Sequence, residues 1–459
     1  MTQHFWYLPM STIRIGNACG FWGDSVDAPL RLAEAGQLDY LTLEYLAELT
    51  MSILALLRQR DPKAGYATDF VDVLSRLAPQ LKKQPKLKII TNAGGMNPRA
   101  CAEAAREALA KAGITDRKFG IVSGDDLLPR LDELLNAGHE LRHLDTGEPL
   151  ASVRQRVVSA NAYLGSAPIA EALRGGANIV VTGRVADACL VVGPCLAEFG
   201  WAADDWQKLG AASVAGHLIE CGAQATGGLW MNADESTHLE RVGYPFVDIA
   251  ADGTFNISKP SGTGGAVNLQ TVAEQLLYEV ADPAKYYTPD VVADFTTAHF
   301  AQVEQDVVRC TGGSGNTATD TYKVSLAYRD GWTASGSLVI VGPNAVAKAR
   351  RSGAMLLDRL KQAGFEYAHS LVELIGAGDS VPGSWPTTEA PEVLMRVAVR
   401  DANRQAIERF TKEFAPLVTS GFAGTTGYTT GRPQVREVFA YWPSLIAKSA
   451  VTPKVEWLD

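Results

Sequence analysis

The first half of the chain alternates short apolar runs with segments patterned as helices. Apolar runs of strand length occur at residues 13–16, 39–43, 87–91, 119–123 and 177–182. Helical patterning is found at residues 27–36, 45–60, 68–82, 98–113, 127–137, 151–160, 166–175, 186–198 and 204–223. This alternation predicts βαβ crossovers. Because the short runs are almost continuously apolar, it also predicts a mostly parallel sheet that helices cover on both faces.

The second half of the chain has a different texture. Asp252-Gly253 and Asp330-Gly331 each stand between alternating apolar and polar residues, which predicts β-hairpins at 245–258 and 321–342. Further strands at 367–375 and 393–401 and helices at 344–363 and 403–414 complete a ββαββα order, with 240–320 as a mixed connecting region. We therefore predict an α/β fold with a mostly parallel sheet, followed by an α+β domain with a mainly antiparallel sheet. The predicted domains are residues 1–235 and 236–459, the second closing the crevice of the first.

Charge and apolar content exclude two classes of function. The chain has 42 basic and 51 acidic residues and a formal net charge of −9. It has no long basic run, so we expect no nucleic-acid partner. No apolar run approaches the roughly 18 residues of a membrane span, and residues 1–10 lack the pattern of a signal peptide. Since the six cysteines form no CxxC spacing, we predict a cytoplasmic protein with reduced thiols.

Polar or glycine-rich segments follow all five predicted strands. Ligands of open α/β sheets bind in the crevice beyond the carboxyl ends of the strands, so we expect a shared site there. Gly, Asn and Asp also form turns and helix caps, which is the simpler explanation for any single segment. The predicted substrate- or anion-binding residues at these strand ends are Gly20, Trp22, Asn92, Gly94, Gly95, Asn97 and Arg184. A later glycine-rich stretch adds Lys259, Ser261 and Thr263, whose backbone amides would form an anion nest.

Acid–base chemistry has several candidate residues. The predicted catalytic residues are Glu44, Asp125, Asp24 and His217. A carboxylate in a crevice can acquire a raised pKa and act as a general base, but Glu44 equally fits a helix-capping role. His217 faces Glu220 one helical turn away, which suits proton transfer. Asp24, Glu44 and Asp187 could instead bind a divalent cation, and the use of a metal stays open.

The stretch RIGNACGFWGDS, residues 14–25, imitates a dinucleotide-binding loop. Gly16, Gly20 and Gly23 follow a predicted strand, and Glu44 stands about 20 residues further on. The spacing is not GxGxxG, however, and Asp24 would bring a carboxylate to the place of a phosphate. Two like charges about 4 Å apart repel by roughly 4 kcal/mol at an effective dielectric of 20. A nicotinamide-dependent oxidoreductase is therefore the alternative rather than the first interpretation.

Several long segments resemble the acyclic terpene utilisation AtuA family. They include IRIGNACGFWGDS, LDYLTLEYLAELTM, TNAGGMNP, YLGSAPIAEALRGGANIVVTGRVADACL, FGWAADDWQKLGAASVAGHLIECGAQATGG, GYPFVDIAADGTFNISKPSGTGG and GRPQVREVFAYWP. The resemblance implies a role in the catabolism of terpenoids such as citronellol and geraniol, whose branched acids are processed as coenzyme A thioesters. Many relatives carry a further small α/β domain or have a small partner protein that supplies it, so the resemblance implies such a partner here. It implies no catalytic residues.

Motifs and resemblance together predict a lyase or hydratase that acts on a branched acyl-CoA or related carboxylic acid. Such chemistry needs an acid–base group, an oxyanion stabiliser and an anion-binding group. The alternatives are a nicotinamide-dependent oxidoreductase and a non-catalytic partner in a degradation complex. No cofactor is implied, although a coenzyme A thioester suits the substrate. We expect a small-molecule substrate, no membrane partner and a homo-oligomer, since metabolic proteins of this size are commonly symmetric assemblies.

Overall fold

The structure is a computed structural model that describes residues 11–381, Gly383 and residues 389–458. The ten N-terminal residues, on which the signal-peptide prediction rests, lie outside the described residues. The chain divides into two compact units. One runs up to Ala327 and resumes at Tyr441, and the other is Tyr328–Ala440.

The strands of the described chain are β1 (Thr12–Asn17), β2 (Tyr40–Leu43), β3 (Lys88–Thr91), β4 (Phe119–Ser123), β5 (Val157–Ala162), β6 (Ile179–Thr182), β7 (Phe246–Ala250), β8 (Phe255–Ser258), β9 (Tyr286–Tyr287), β10 (Val292–Asp294), β11 (His299–Glu304), β12 (Val307–Thr311), β13 (Ser314–Asn316), β14 (Thr321–Val341), β15 (His369–Ile375), β16 (Glu392–Asp401), β17 (Thr425–Tyr428), β18 (Arg436–Ala447) and β19 (Lys454–Leu458). Its α-helices are α1 (Ala28–Gly36), α2 (Glu48–Arg60), α3 (Asp69–Lys83), α4 (Pro98–Lys111), α5 (Leu131–Asn136), α6 (Ala167–Arg174), α7 (Cys189–Phe199), α8 (Trp206–Glu220), α9 (Leu269–Leu277), α10 (Ala345–Gln362), α11 (Arg404–Phe410) and α12 (Leu417–Ser420).

Five parallel strands form the centre of the main sheet. They stand in the order β1-β2-β3-β6-β4, and each neighbouring pair is parallel. These are the five strands that the apolar runs predict, so the predicted fold class is confirmed. Their residues are mostly buried, as in β2 and β6, where every residue is buried. Continuous burial explains why the sequence shows apolar runs rather than alternation.

Antiparallel strands extend this sheet at both edges. Beyond β1 follow β7, β8, β12 and β11, and β19 pairs with β4 at the other edge. The hairpin predicted at Asp252-Gly253 is confirmed, because β7 pairs with β8 and Gly253 takes a φ of 91° in the turn. Residues 246–311 thus supply four strands of the main sheet rather than a connecting region. The predicted domain boundary at 235 and 236 lies inside the larger unit, since strands from both sides of it share one sheet.

One large core forms where α1, α3 and α4 pack on the central strands. Leu32, Phe70 and Leu109 from these helices contact the same cluster as Leu41 and Ile89 of the sheet, and each is at most 1% exposed. Full burial of one such side chain stabilises the fold by roughly 1.5–3 kcal/mol. The strands are therefore held rigidly, and so are the segments that follow their carboxyl ends.

The smaller unit is an antiparallel sheet covered by helices. Its strand order is β15-β16-β14-β17, and Leu338, Leu356, Met395 and Phe410 are fully buried in its core. The predicted strands at 367–375 and 393–401 and the predicted helices at 344–363 and 403–414 are confirmed within one or two residues at most boundaries. This unit carries the antiparallel α+β character that the second half of the sequence predicts.

Two predictions of secondary structure are wrong. Residues 321–341 form one long strand, β14, and not a hairpin, because β16 pairs with its second half and β5 and β18 also pair with it. Gly331 takes a φ of 87° within that strand. The helix predicted at 151–160 is instead a pair of short turns followed by β5. The partner of β5 is more than 150 residues away, and local patterning carries no information about such a pairing.

None of the helices in the described ranges has the combined length and apolar character that crossing a membrane requires.

Candidate functional site

A cavity of about 840 Å³ lies in the larger unit. Its ionisable wall residues are Glu48, Tyr163, Asp187, His217, Glu220, Glu279, Tyr286, Tyr287 and Lys323. Leu144, Leu445 and Pro289 contribute apolar surface to the same wall. The volume falls within the roughly 300–1,000 Å³ of pockets that hold small molecules. We therefore take this cavity as the candidate site.

The carboxyl ends of the central strands place several predicted residues in and behind this wall. Glu44 follows β2, Asn92 follows β3, Asp125 follows β4 and Arg184 follows β6. All four are nearly buried, with exposed fractions between 0% and 4%. Asp187, three residues after Arg184, reaches the cavity itself. The structure thus brings these strand ends together, as the crevice rule for α/β sheets leads one to expect.

Arg184 is the central cation behind the wall. Its Nη1 donates to Asp187 Oδ1 at 2.5 Å and to the Val185 carbonyl at 3.1 Å, and it lies 4.0 Å from Glu44 Oε1. Its guanidinium carbon lies 4.1 Å from the centroid of the Tyr163 ring. Because Arg184 is 1% exposed, it orients its neighbours rather than contacting bulk solvent.

Asp125 fixes the segment that carries Arg184. Its Oδ2 accepts a hydrogen bond from the Arg184 backbone N–H at 2.9 Å and another from Asn161 Nδ2 at 2.8 Å. Burial raises the pKa of Asp125 to about 6, while these two hydrogen bonds oppose the rise. Asp125 does not line the 840 Å³ cavity, so its contacts indicate a positioning role.

Glu44 is a buried carboxyl in a crowded acidic environment. Asn92 Nδ2 donates to its Oε1, and Asn92 Oδ1 accepts from the backbone N–H of Tyr45. Burial raises the pKa of Glu44 well above its usual value; Asp187 and Glu220 add to the rise, and Arg184 opposes it. The surroundings of Glu44 therefore favour its neutral form more strongly than water does.

His217 and Glu220 form a hydrogen-bonded pair at the end of α8. His217 Nδ1 lies 2.8 Å from Glu220 Oε1, and the side chains are 2% and 12% exposed. The second carboxyl oxygen of Glu220 has no hydrogen-bond partner among the described residues. Burial raises the pKa of Glu220 to about 7, with His217 opposing. Burial lowers the pKa of His217, but Glu220 and the backbone of Gln275 and Leu276 together outweigh burial, and the net shift is upward.

Glu48, Tyr163 and Lys323 form a further charged cluster on the wall. The Tyr163 hydroxyl donates to Glu48 Oε1 at 2.9 Å, and Lys323 Nζ lies 3.3 Å from the same oxygen. None of these three residues is among the site residues that the sequence predicts. Tyr163 follows β5, where the sequence wrongly predicts a helix, and Lys323 belongs to β14. Only the pairing of β5 with β14 could have revealed this cluster.

In the glycine-rich loop at 14–25, backbone N–H groups of the loop donate hydrogen bonds to the carboxylate of Asp24. Asp24 Oδ2 accepts from the backbone N–H of Gly20 at 2.8 Å, while Oδ1 accepts from the N–H of Ser25 and the hydroxyl of Tyr244, both at 2.6 Å. A Cβ added at Gly20 would lie 2.7 Å from the carbonyl carbon of Cys221. Gly20 therefore permits close approach of another backbone segment. Trp22 packs against two apolar cores, and Asp24 and Gly20 lie outside the cavity lining.

The loop after β3 is likewise used for packing. Asn97 caps α4 by accepting from the Ala100 N–H at 3.3 Å and donates to the carbonyls of Pro62 and Ala64, both at 3.0 Å. A Cβ on Gly94 would lie 2.5 Å from the carbonyl oxygen of Thr182, and Gly95 has a φ of 48°. These three residues lie outside the cavity lining as well.

The second glycine-rich stretch lies apart from the cavity. Lys259 Nζ contacts Asp306 Oδ2 and the Thr263 carbonyl, each at 3.1 Å. The Thr263 hydroxyl donates to the Pro260 carbonyl at 2.6 Å, and Ser261 is exposed. Pro260 and Thr263 border a separate groove of about 500 Å³. Lys259 is thus neutralised locally rather than presented to a ligand in the larger cavity.

The three metal candidates do not converge. Asp187 pairs with Arg184 beside Glu44, whereas Asp24 is bonded within its own loop. Within the part of the chain that the structure describes, no group of three or more His, Cys, Asp or Glu side chains is arranged to hold a metal ion.

Fold and cavity define a mixed α/β protein with a nearly buried acid–base pair on the wall of a ligand-sized cavity. The chain belongs to the family described as "Acyclic terpene utilisation family protein AtuA", whose family model matches residues 13–457. Membership assigns the chain to acyclic terpene utilisation, a catabolic role. No curated protein shows significant sequence similarity to the chain. Among solved structures, the de novo designed protein Ferredog-Diesel matches 24% of this chain and 88% of its own, with 16% identity and a TM-score of 0.15.

Proposed function

We propose that the protein is a catabolic enzyme of acyclic terpene utilisation that performs lyase or hydratase chemistry on a branched acyl-CoA or related carboxylic acid. The observation that carries this proposal is the His217–Glu220 pair, whose side chains lie 2.8 Å apart on the cavity wall. Because the pKa of Glu220 is about 7, its acid and base forms are both populated at neutral pH. General acid–base catalysis is most effective under that condition.

Hydration of a double bond adds a hydroxyl group to one carbon and a proton to the next. In the proposed reaction, the pair accepts a proton from water while the water oxygen bonds to the β-carbon. It then returns a proton to the α-carbon, so protons balance over the cycle. The reverse sequence eliminates water. Asp187, which Arg184 holds at the cavity wall, adds to the rise in the pKa of Glu220.

Three observations favour this chemistry over other mechanisms. The nicotinamide alternative rests on residues 14–25, but the Gly20 N–H bonds to Asp24, and Gly20 packs against the Cys221 backbone. A thiolate mechanism through Cys221 is disfavoured as well, because burial and Glu220 raise the pKa of that thiol. Glu220 Oε2 and His217 Nε2 are buried without a hydrogen-bond partner among the described residues, and polar atoms of that kind on a cavity wall favour an enzyme over a non-catalytic partner.

The proposal is tested by incubating the purified protein with a branched unsaturated acid in ¹⁸O-labelled water. We would use 3-methylbut-2-enoate and its coenzyme A thioester and detect the hydroxy product by mass spectrometry. The expected result is a product that contains one labelled oxygen and forms without nicotinamide. Turnover that depends on NAD or NADP would support the oxidoreductase instead. The absence of any product from either compound, in both directions, would favour the non-catalytic role.

A further inference from the structure

Lys323, Tyr163 and Glu48 form a cluster that the proton-transfer pair does not use. One oxygen of Glu48 receives both the Tyr163 hydroxyl, at 2.9 Å, and the Lys323 ammonium, at 3.3 Å. The side chains of Lys323 and Glu48 are 42% and 41% exposed, and all three residues line the cavity. A carboxylate is thus bound by two donors on the wall of a ligand-sized space.

Two cationic side chains, each paired with an acid, lie beside the Tyr163 ring at this point of the wall. The Arg184 guanidinium carbon lies 4.1 Å and Lys323 Nζ 4.8 Å from the centroid of the Tyr163 ring. Burial raises the pKa of Glu48, but Arg184 and Lys323 outweigh it and the net shift is downward. Burial lowers the pKa of Lys323, but Tyr163, Tyr441 and Glu48 together outweigh burial, and the net shift is upward. The surroundings therefore favour an ionised carboxylate beside a charged lysine.

The chain contains a second Lys–Tyr–Glu cluster, which provides a comparison. Lys88 Nζ lies 2.8 Å from Glu198 Oε1 and 3.0 Å from the Tyr40 hydroxyl, and that hydroxyl also donates to Glu198 Oε1. None of these three residues lines the cavity. The Lys–carboxylate contact is shorter there than the 3.3 Å between Lys323 and Glu48. The looser of the two clusters is the one that borders the cavity.

We propose that Lys323 and the Tyr163 hydroxyl bind the carboxylate of a branched organic acid, and that Glu48 is an internal substitute which this carboxylate displaces. The branched ligand is taken from the proposed function. The Lys323–Glu48 ion pair is partly exposed, and such pairs are weak, so releasing Glu48 costs little. Glu48 lies in the first turn of α2, where its side chain can rotate towards solvent. Leu144, Leu445 and Pro289 border the same cavity and offer apolar surface to a branched hydrocarbon.

Calorimetric titration with 3-methylbutanoate tests this carboxylate site. The compound is saturated, so binding is measured without any reaction. We expect Glu48→Gln to bind it about twofold to fivefold more tightly than the wild type, because the competing carboxylate is removed and a partly exposed ion pair is weak. Lys323→Met should bind it at least about tenfold more weakly, the change expected for one charge-assisted hydrogen bond. Lys323→Arg should retain most of the affinity, since it keeps the charge.

The controls separate charge recognition from general packing. The uncharged 3-methylbutanamide should bind all of these variants alike, and Lys88→Met and Glu198→Gln should bind 3-methylbutanoate as the wild type does. Equal binding by the wild type, Glu48→Gln and Lys323→Met would overturn the proposal, and so would the absence of binding to both the wild type and Glu48→Gln. Failure of hydration with the predicted binding pattern intact would refute only the proposed function.

Discussion

A single oxygen of Asp125 holds the backbone of Arg184, although the two residues are 59 positions apart. Asp125 Oδ2 accepts from the Arg184 N–H at 2.9 Å and from Asn161 Nδ2 at 2.8 Å. This oxygen therefore joins the end of β4 to β5 and to the segment after β6. Arg184 in turn holds Asp187 at the cavity wall.

Two replacements of Asp125 should distinguish the contribution of its acceptor oxygen to stability from the contribution of its charge. Asp125→Ala leaves two buried donors without a partner and should lower the free energy of unfolding by about 2–4 kcal/mol. Asp125→Asn can keep an acceptor oxygen in the same place, so its loss should be about half as large or less. Urea unfolding at pH 7 measures both values. Equal losses for the two variants would show that the shared oxygen is not what stabilises this junction.

Asp24 should prove structural rather than catalytic. Its carboxylate satisfies two backbone N–H groups and the Tyr244 hydroxyl, so Asp24→Asn should lower the free energy of unfolding by about 1–2 kcal/mol. The turnover rate of the folded variant should stay within about threefold of the wild type, since Asp24 lies outside the cavity. Thermal unfolding and hydration rates measure the two quantities. A large loss of turnover rate without a loss of stability would contradict the structural role and indicate that Asp24 belongs to the active site.

The His217–Glu220 pair should make stability depend on pH. Burial raises the folded-state pKa of Glu220 to about 7 from an ordinary value of 4.5, and Glu220 raises that of His217. The folded protein therefore binds more protons than the unfolded chain between about pH 4.5 and pH 7 and somewhat above. Stability from the pair is fully present below that window and is lost as the pH rises through it.

Urea unfolding from pH 5 to pH 8 measures this effect. The free energy of unfolding of the wild type relative to Glu220→Gln should fall across the range, by up to roughly 3 kcal/mol, since one pKa unit corresponds to about 1.4 kcal/mol. Glu240→Gln is the matched control, because Glu240 lies 3.3 Å from His238 in an exposed pair. Its difference from the wild type should stay nearly constant with pH. If the free energy of unfolding of the wild type relative to Glu220→Gln rose with pH, that result would contradict the raised pKa values.

The parallel centre of the fold can be predicted from the sequence, because strands buried on both faces appear in it as short, continuous apolar runs. The runs at β1, β2, β3, β4 and β6 are apolar for that reason. The pairing of β5 with β14 leaves no such trace in the sequence, since it joins segments more than 150 residues apart. The same reason hides Tyr163 and Lys323, which meet Glu48 only after the chain has folded.

The candidate site could be predicted in part. Glu44, Arg184 and Asp187 converge because strand ends meet at one edge of a sheet, and His217 faces Glu220 because they are one helical turn apart. Glycines were less informative: Gly20 and Gly94 serve close packing of backbone, which in sequence looks the same as a ligand-binding loop. Lys259 forms an ion pair with Asp306, a residue distant in sequence, so the segment around Lys259 does not reveal this partner. The predicted partner protein and homo-oligomeric state stay predictions.

The rate of hydration by Glu220→Gln tests the central claim most directly. The variant keeps the size of the side chain but removes its ability to accept and return a proton, while Glu240→Gln controls for loss of a carboxylate beside a histidine elsewhere. With 3-methylbut-2-enoate or its coenzyme A thioester as substrate, we predict that kcat falls by about 10²–10⁴ for Glu220→Gln and stays unchanged for Glu240→Gln. A Glu220→Gln protein that is folded and as active as the wild type would contradict the account.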